Sequence, residues 1–251
     1  MSGDCDRFSR YLEDGAQEFF QRLEIPRGGR MLDVACGSGQ LALIAAREGV
    51  EVTGVDIAPN WLNRARARAL VEGLDVEFRE GDAEALPFPD AAFDAVASIS
   101  GSIFTPRPEA AAAEMARVCR PGGVIAMVNW TPQGFIGQMF KTIGRHALPP
   151  GMPSPLLWGE VGPVSRRMGP HVSRLRMTRR LYTFDYPFPP ASVVEFFREN
   201  YGPVVRAFAV LDGGQRRTLR TELEALWTRH NECIRGCTRV QAEYLEVIAT
   251  R

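Results

Sequence analysis

The 251-residue chain predicts an α/β fold built on a doubly wound, mostly parallel sheet. Three observations carry that expectation. Short apolar runs alternate with stretches of helical periodicity through the first half of the chain. One junction, Leu32-Asp33-Val34-Ala35-Cys36-Gly37-Ser38-Gly39-Gln40-Leu41-Ala42, passes from an apolar strand through a glycine turn straight into a helix. The loops between these elements are short, as they are in βαβ units.

In chain order, residues 4–24 place Phe8, Tyr11, Leu12, Phe19, Phe20 and Leu23 at the spacing of an amphipathic helix. Pro26-Arg27-Gly28-Gly29 closes it with turn residues. Arg30 to Ala35 reads as the first strand, and its helix runs to about Glu48. Strand Glu51 to Asp56 leads to a helix ending near Glu72, whose arginines form a solvated face. Val76 to Glu80 and Phe93 to Ile99 are the third and fourth strands. A helix starts at Pro108, where a first turn tolerates proline, and Pro121-Gly122-Gly123 stops it before strand Val124 to Asn129. Beyond Trp130 the style changes: residues 131–170 are rich in Pro and Gly, with helical stretches over Phe135 to His146 and Glu160 to Met168. Ser173 to Asp185 reads as a strand with an arginine-rich outer face, Ala191 to Tyr201 and Gln215 to Asn231 as helices, and Gln241 to Ala249 as a last strand. The expected divisions are an N-terminal helical segment (1–29), a ligand-binding core (30–130), a cap over the substrate side (131–170) and a C-terminal completion of the sheet (171–251).

Bulk properties narrow the function classes. Net charge is zero, so no global field recruits nucleic acid or an anionic membrane. No stretch reaches the ~18 apolar residues of a membrane helix, and Met1 to Arg10 lacks the apolar core of a signal peptide. Five cysteines without metal-ligand spacing point to a reduced, cytoplasmic compartment, with Cys233 and Cys237 as ordinary small residues. Lys141 as the only lysine, against many arginines, suggests a GC-rich bacterial genome.

The glycine turn is a site for a nucleotide-class cofactor, because Gly37 and Gly39 let a ligand approach bare backbone at a helix N-terminus. Gly37-Ser38-Gly39-Gln40-Leu41-Ala42 fits the dinucleotide pattern G-x-G-x-x-G/A, with Asp56 about 20 residues on to hold a ribose. Asp33 argues for another ligand. A carboxylate at the strand end repels a pyrophosphate and attracts an ammonium, which S-adenosylmethionine (SAM) carries.

Four blocks in order resemble the class I SAM-dependent methyltransferases, over about residues 30–130. They are the motif around Asp33 to Gly39, Val52-Thr53-Gly54-Val55-Asp56-Ile57, Gly81-Asp82-Ala83-Glu84-Ala85-Leu86-Pro87-Phe88 with Phe93-Asp94-Ala95-Val96, and Arg117-Val118-Cys119-Arg120-Pro121-Gly122-Gly123 with its strand. The local motifs are similar to the ubiquinone and menaquinone biosynthesis branch. That resemblance implies a seven-stranded Rossmann-like sheet with an antiparallel last strand and a helical cap insertion. It implies SAM as methyl donor, with S-adenosyl-L-homocysteine as product, and Asp56 on the ribose hydroxyls. Ile57 would wall the adenine, Asp82 and the Ala83 N–H would meet its edge, and Tyr11 would reach the cofactor from a closing N-terminal segment. Ala35 and Ser98, at the ends of the first and fourth strands, complete the expected contacts.

Methyl transfer from a sulfonium is an in-line displacement that gains from alignment, so the fold does not dictate a general base. Of the three histidines, His171 is the candidate to test, ahead of His146 and His230. Phe104, Trp130, Phe135 and Trp158 are the expected wall of an apolar or aromatic acceptor pocket, and would shield the sulfonium by cation–π contact. Arg166, Arg167, Arg174, Arg176, Arg179 and Arg180 read as a solvated strand face, or as a clamp for an anionic substrate. The expected partner is therefore a small-molecule substrate, with no nucleic acid, no metal, and either a monomer or a homodimer. Two other classes stay open: an NAD-dependent oxidoreductase, for which Lys141 has no tyrosine at suitable spacing, and a non-catalytic SAM-binding protein.

Overall fold

The computed structural model describes residues 11–147 and 153–251. Its strands are β1 (Arg30–Val34), β2 (Glu51–Asp56), β3 (Val76–Glu80), β4 (Phe93–Ile99), β5 (Cys119–Trp130), β6 (Arg174–Tyr186) and β7 (Thr238–Thr250). They form one sheet in the order β3-β2-β1-β4-β5-β7-β6. Strands β1 to β5 run parallel to one another, with Asp33 level with Gly54 on one side and Ala97 on the other. The backbone bonds Gly122 N–H to Arg251 and Thr131 N–H to Glu243 show β7 running antiparallel to β5. The strand order reverses between β1 and β4, and that switch point is where open α/β sheets bind ligands.

The helices are α1 (Glu13–Gln21), α2 (Gln40–Arg47), α3 (Pro59–Glu72), α4 (Pro108–Val118), α5 (Phe135–Ala147), α6 (Val161–Met168), α7 (Pro190–Asn200), α8 (Gly202–Val210) and α9 (Gly213–His230). β1 and β4 are buried along nearly their whole length, the mark of strands covered on both faces. The edge strand β3 buries only Phe78. A capping box at Asp212 and Gln215 starts α9.

Several elements depart from the sequence reading. Pro121-Gly122-Gly123 does not separate a helix from a strand; it lies inside β5, as a register shift between Phe93 and Ala95 of β4, with Gly122 at φ +74°. Sequence alone reads Pro-Gly-Gly as a stop, whereas a bulge absorbs it without ending the ladder. Among the described residues the N-terminal helix spans Glu13–Gln21; residues 4–10, with Phe8, lie outside them. α8 was not anticipated, because Tyr201-Gly202-Pro203 reads as a turn while Pro203 in fact occupies the first helical turn. Cys233 and Cys237 are joined as a disulfide across a four-residue separation, which corrects the expectation of unpaired thiols throughout. Cys36 and Cys119 are free and buried.

The chain divides into two compact units. The larger comprises residues 13–129, 153–180 and 245–251; the smaller comprises the described residues of 130–152 and 181–244 with Tyr11 and Leu12. The larger holds the glycine turn and a core of Leu32, Val34, Val96, Met115, Met127 and Trp158. The smaller packs α5, α7, α8 and α9 around an aromatic core in which Phe184, Tyr186, Phe197 and Trp227 lie within 5.0–6.3 Å of one another, centroid to centroid. Within the stretch 131–170, α5 belongs to the smaller unit, while α6 and the short turn Pro155–Gly159 belong to the larger, where α6 packs on α4.

Candidate functional site

The site starts at the end of β1. Asp33 is fully buried, and its Oδ2 accepts the N–H of Ala42 at 3.1 Å, satisfying an otherwise orphaned donor in the first turn of α2. Burial pushes its carboxyl up to about 8, the Ala42 bond opposes this, and nearby Asp56 adds to it. A cation beside it would recover that cost.

The chain then turns sharply. Ala35 takes a left-handed conformation at φ +55°, costly for a residue with a Cβ. Gly101, after β4, packs so closely that a Cβ there would stand 2.5 Å from the Ala35 carbonyl oxygen. Gly37 and Gly39 follow at φ +54° and +80°. Their surroundings differ. A Cβ on Gly39 would press on Phe78 and Ala65 at 3.0–3.1 Å, so this glycine serves packing, whereas a Cβ on Gly37 would meet nothing. Bare backbone facing open space is what a ligand approaching the turn requires.

Asp56, at the end of β2, accepts the Gly37 N–H at 2.8 Å on one oxygen and the Ala58 N–H at 2.9 Å on the other. The Ile57 N–H bonds to the carboxylate as well, and burial, opposed by these three backbone bonds, holds the carboxyl above its ordinary range. Beside it, Ile57 is 68% exposed, an open apolar wall next to an acid. Asp82 is exposed, and one of its oxygens accepts the Glu84 N–H at 2.9 Å in an Asx turn; Ala83 is buried behind it. These residues, with Asp33 and Gly37, share the larger unit and the ends of β1, β2 and β3.

Sequence reading missed one support of the turn. Arg68 of α3 donates to the Ser38 carbonyl at 3.0 Å and to Gln40 Oε1 at 2.9 Å, so it is no part of a solvated face. Gln40 Nε2 is left buried without a partner. Only the fold brings α3 beneath the turn, and no local pattern signals it.

Other expected site residues lie elsewhere. Ser98 is fully buried and fully engaged, donating to the Val34 carbonyl at 2.8 Å and accepting the Ser102 N–H at 3.1 Å; it ties β4 to β1 and has no hydrogen left for a ligand. Tyr11 stacks in the smaller unit on Tyr186 and Phe196, at 4.5 and 5.5 Å, and its carbonyl accepts from the Tyr182 hydroxyl. The four aromatics expected to line one pocket separate into two groups. Trp130 packs on Phe184 and Tyr244, and Phe135 on Trp227, as core of the smaller unit. Phe104 and Trp158 belong to the larger unit.

No histidine is poised as a base by a site carboxylate: His171 is exposed in the short turn Gly169–His171, His146 pairs with Glu222 at 3.1 Å, and His230 faces Gln138 at 3.3 Å. The arginines do not converge either. Arg167 pairs with Glu109 and lies over the Trp158 ring, Arg180 pairs with the buried Glu246, and Arg166, Arg174, Arg176 and Arg179 are exposed. Among the described residues no group of His, Cys, Asp or Glu is arranged to hold a metal, and no helix is long and apolar enough to cross a membrane.

Together the open backbone at Gly37, the unpartnered Gln40 amide, the buried acid Asp33, the two-oxygen acceptor Asp56 and the bare Ile57 fit a ligand with an ammonium, a ribose diol and a flat apolar base. SAM has all three.

Comparison with known proteins agrees. A family model described as a methyltransferase domain matches residues 32–127. The uncharacterized protein Rv1403c of Mycobacterium tuberculosis is 45% identical over 186 residues, 73% of this chain and 68% of that protein. The demethylmenaquinone methyltransferase of Thermus thermophilus is 42% identical over 153 residues, 57% of this chain and 70% of that enzyme. A crystal structure from Bacillus halodurans C-125, described as a methyltransferase, superposes with a TM-score of 0.65 over 94% of this chain and 98% of that one, at 19% identity, and so matches in fold. The chain belongs to the SAM-dependent methyltransferase family, and SAM is its methyl donor.

Proposed function

We propose that the protein methylates a small apolar or aromatic acceptor of quinol-like character. The observation that carries the cofactor half of this reading is the pairing of Gly37, whose Cβ position is open, with the strand-end acid Asp56, one of whose oxygens accepts the Gly37 N–H. Support for the acceptor half comes from the demethylmenaquinone methyltransferase likeness and from the partly buried Phe104 beside Trp158 in the core of the larger unit.

In this reading SAM supplies a methyl group on a sulfonium already activated for displacement. The residues of the chain bind and align. Asp33 faces the ammonium, the Gly37 backbone lies against the ligand, and Asp56 accepts from both ribose hydroxyls. Ile57 covers one adenine face, and the free oxygen of Asp82 with the Ala83 N–H meets the adenine edge. Tyr11 and Ser98 are not needed in direct contact: Ser98 holds the β1 and β4 ends in register. With no base engaged, the acceptor that suits the site carries its own electron-rich atom, as an ionised phenol or quinol carbon does.

Calorimetric titration with SAM, S-adenosyl-L-homocysteine and NAD tests the cofactor half. Micromolar binding of the adenosyl ligands is expected, falling about 100-fold in Asp56→Ala as two charge-assisted hydrogen bonds are lost. Transfer of labelled methyl to 1,4-naphthoquinol, catechol and simple amines tests the acceptor half. Labelling of amines alone would overturn the quinol-like assignment.

A further inference from the structure

Among the described residues, five side chains of the larger unit keep a buried polar atom without a partner, those of Gln40, Ser102, Asn129, Trp158 and Arg167, and three of them are uncharged groups near the ends of β4 and β5. Asn129, next to last in β5, is wholly buried, yet neither its Oδ1 nor its Nδ2 has a partner. Ser102 is equally buried with its hydroxyl unpaired, although its backbone is fully used: its N–H donates to Ser98 and its carbonyl accepts from Thr105. Trp158 is 1% exposed and its indole N–H is unpaired. Buried polar groups are nearly always hydrogen-bonded, and three exceptions in one region point to a missing partner.

They lie at the ligand-binding end of the sheet. Ser100 N–H bonds to the Val128 carbonyl, so Asn129 stands alongside the Ser100-Gly101-Ser102 segment. Gly101 in turn presses on Ala35 at the root of the glycine turn. Strand alternation puts Asn129 on the same face as Ile125 and Met127, which share a core with Ile103 and Trp158. The short turns Ser102–Phe104 and Pro155–Gly159 pack on each other.

We propose that Asn129, Ser102 and Trp158 bind the methyl acceptor and select a ring bearing an O–H and a second oxygen, as carbonyl or hydroxyl. This rests on the methyltransferase site read above. The amide offers one acceptor and two donors, the hydroxyl offers both, and the indole donates only. Such a set matches an oxygen pair and not an amine. None of the three carries a charge; Arg167, the cation beside Trp158, pairs with Glu109 through Nε, while its buried Nη1 has no partner among the described residues. The surrounding Ile103, Met127 and Met168 accept the apolar remainder.

The test uses full-length protein loaded with S-adenosyl-L-homocysteine and titrated with 1,4-naphthoquinol and with catechol, in the wild type, Asn129→Leu, Ser102→Ala and Trp158→Phe. Binding of at least one probe by the wild type is expected. Asn129→Leu is expected to weaken it about tenfold or more and Trp158→Phe, which keeps an aromatic ring, several-fold, with homocysteine-ligand affinity within about twofold of wild type. The melting temperature of Asn129→Leu should stay level or rise, since an apolar side chain replaces an unsatisfied amide, and this keeps the variant interpretable. The proposal is overturned if the wild type binds the adenosyl ligand but neither probe, or if all three variants bind the probes as the wild type does. A wild type that fails to bind the adenosyl ligand would instead remove the cofactor reading on which the proposal stands.

Discussion

Asp33 shows how one residue couples ligand, proton and stability. Its carboxyl is raised to about 8 when folded, against an ordinary value of 3.8. Between those values the folded state holds a proton that the unfolded state has lost, so through this group stability falls as pH rises. Asp33→Asn removes that slope while keeping an oxygen for the Ala42 N–H. Denaturant titrations at pH 5 and pH 7 should show the wild type losing about 2–3 kcal/mol more than the variant across that interval. In the site proposed above, the ammonium of SAM pulls the other way by favouring the carboxylate. Binding at neutral pH should therefore release close to one proton and tighten from about pH 6 to about pH 7.5, an effect absent in Asp33→Asn. Calorimetry in buffers of different ionisation enthalpy measures the proton directly; no release in the wild type would mean that Asp33 does not meet the ammonium.

At the scale of elements, the two glycine positions make opposite predictions. Gly101→Ala forces a Cβ onto the backbone of Ala35 and should cost about 1–3 kcal/mol of stability by denaturant unfolding. Gly37→Ala meets open space and carries only the cost of a left-handed alanine, about 1 kcal/mol, yet should weaken adenosyl-ligand binding at least tenfold by filling the ligand's approach. Equal binding by Gly37→Ala would place the ligand away from the turn. The junction after α1 is held by a different device. Glu246 of β7 is buried between Arg22 at 2.7 Å and Arg180 at 2.9 Å. Glu246→Ala should cost about 2 kcal/mol, less than a fully buried pair because both arginines keep contact with water, and should speed amide exchange in α1. Unchanged exchange there would show that α1 is held by its apolar contacts alone.

At the scale of the whole molecule, acidic and basic residues balance at thirty each, with a sequence pI near 6.8. Solubility should be lowest close to that pH and rise on either side, as a precipitation series would show. Much of the larger architecture was legible beforehand, because a strand covered on both faces must be an apolar run and a crossover helix must show a 3.6-residue period. β1 to β4 and α2 to α4 fall where those patterns placed them. The two acids of the candidate site were legible for a related reason: Asp33 and Asp56 interrupt or end apolar strands, where packing alone offers no use for a charge.

What the sequence determined by itself is thus the fold class, the family and the glycine turn with its two acids, since each depends on residues close together in the chain. The tertiary structure decided what depends on distant residues meeting. It divided Trp130 and Phe135 from Phe104 and Trp158, because side chains alike in type are buried in different units. It brought Arg68 under the turn, set Gly101 against Ala35, and left Asn129, Ser102 and Trp158 buried without partners. A local pattern records which residues favour a strand or a helix; hydrogen-bond satisfaction is settled only when every neighbour is in place.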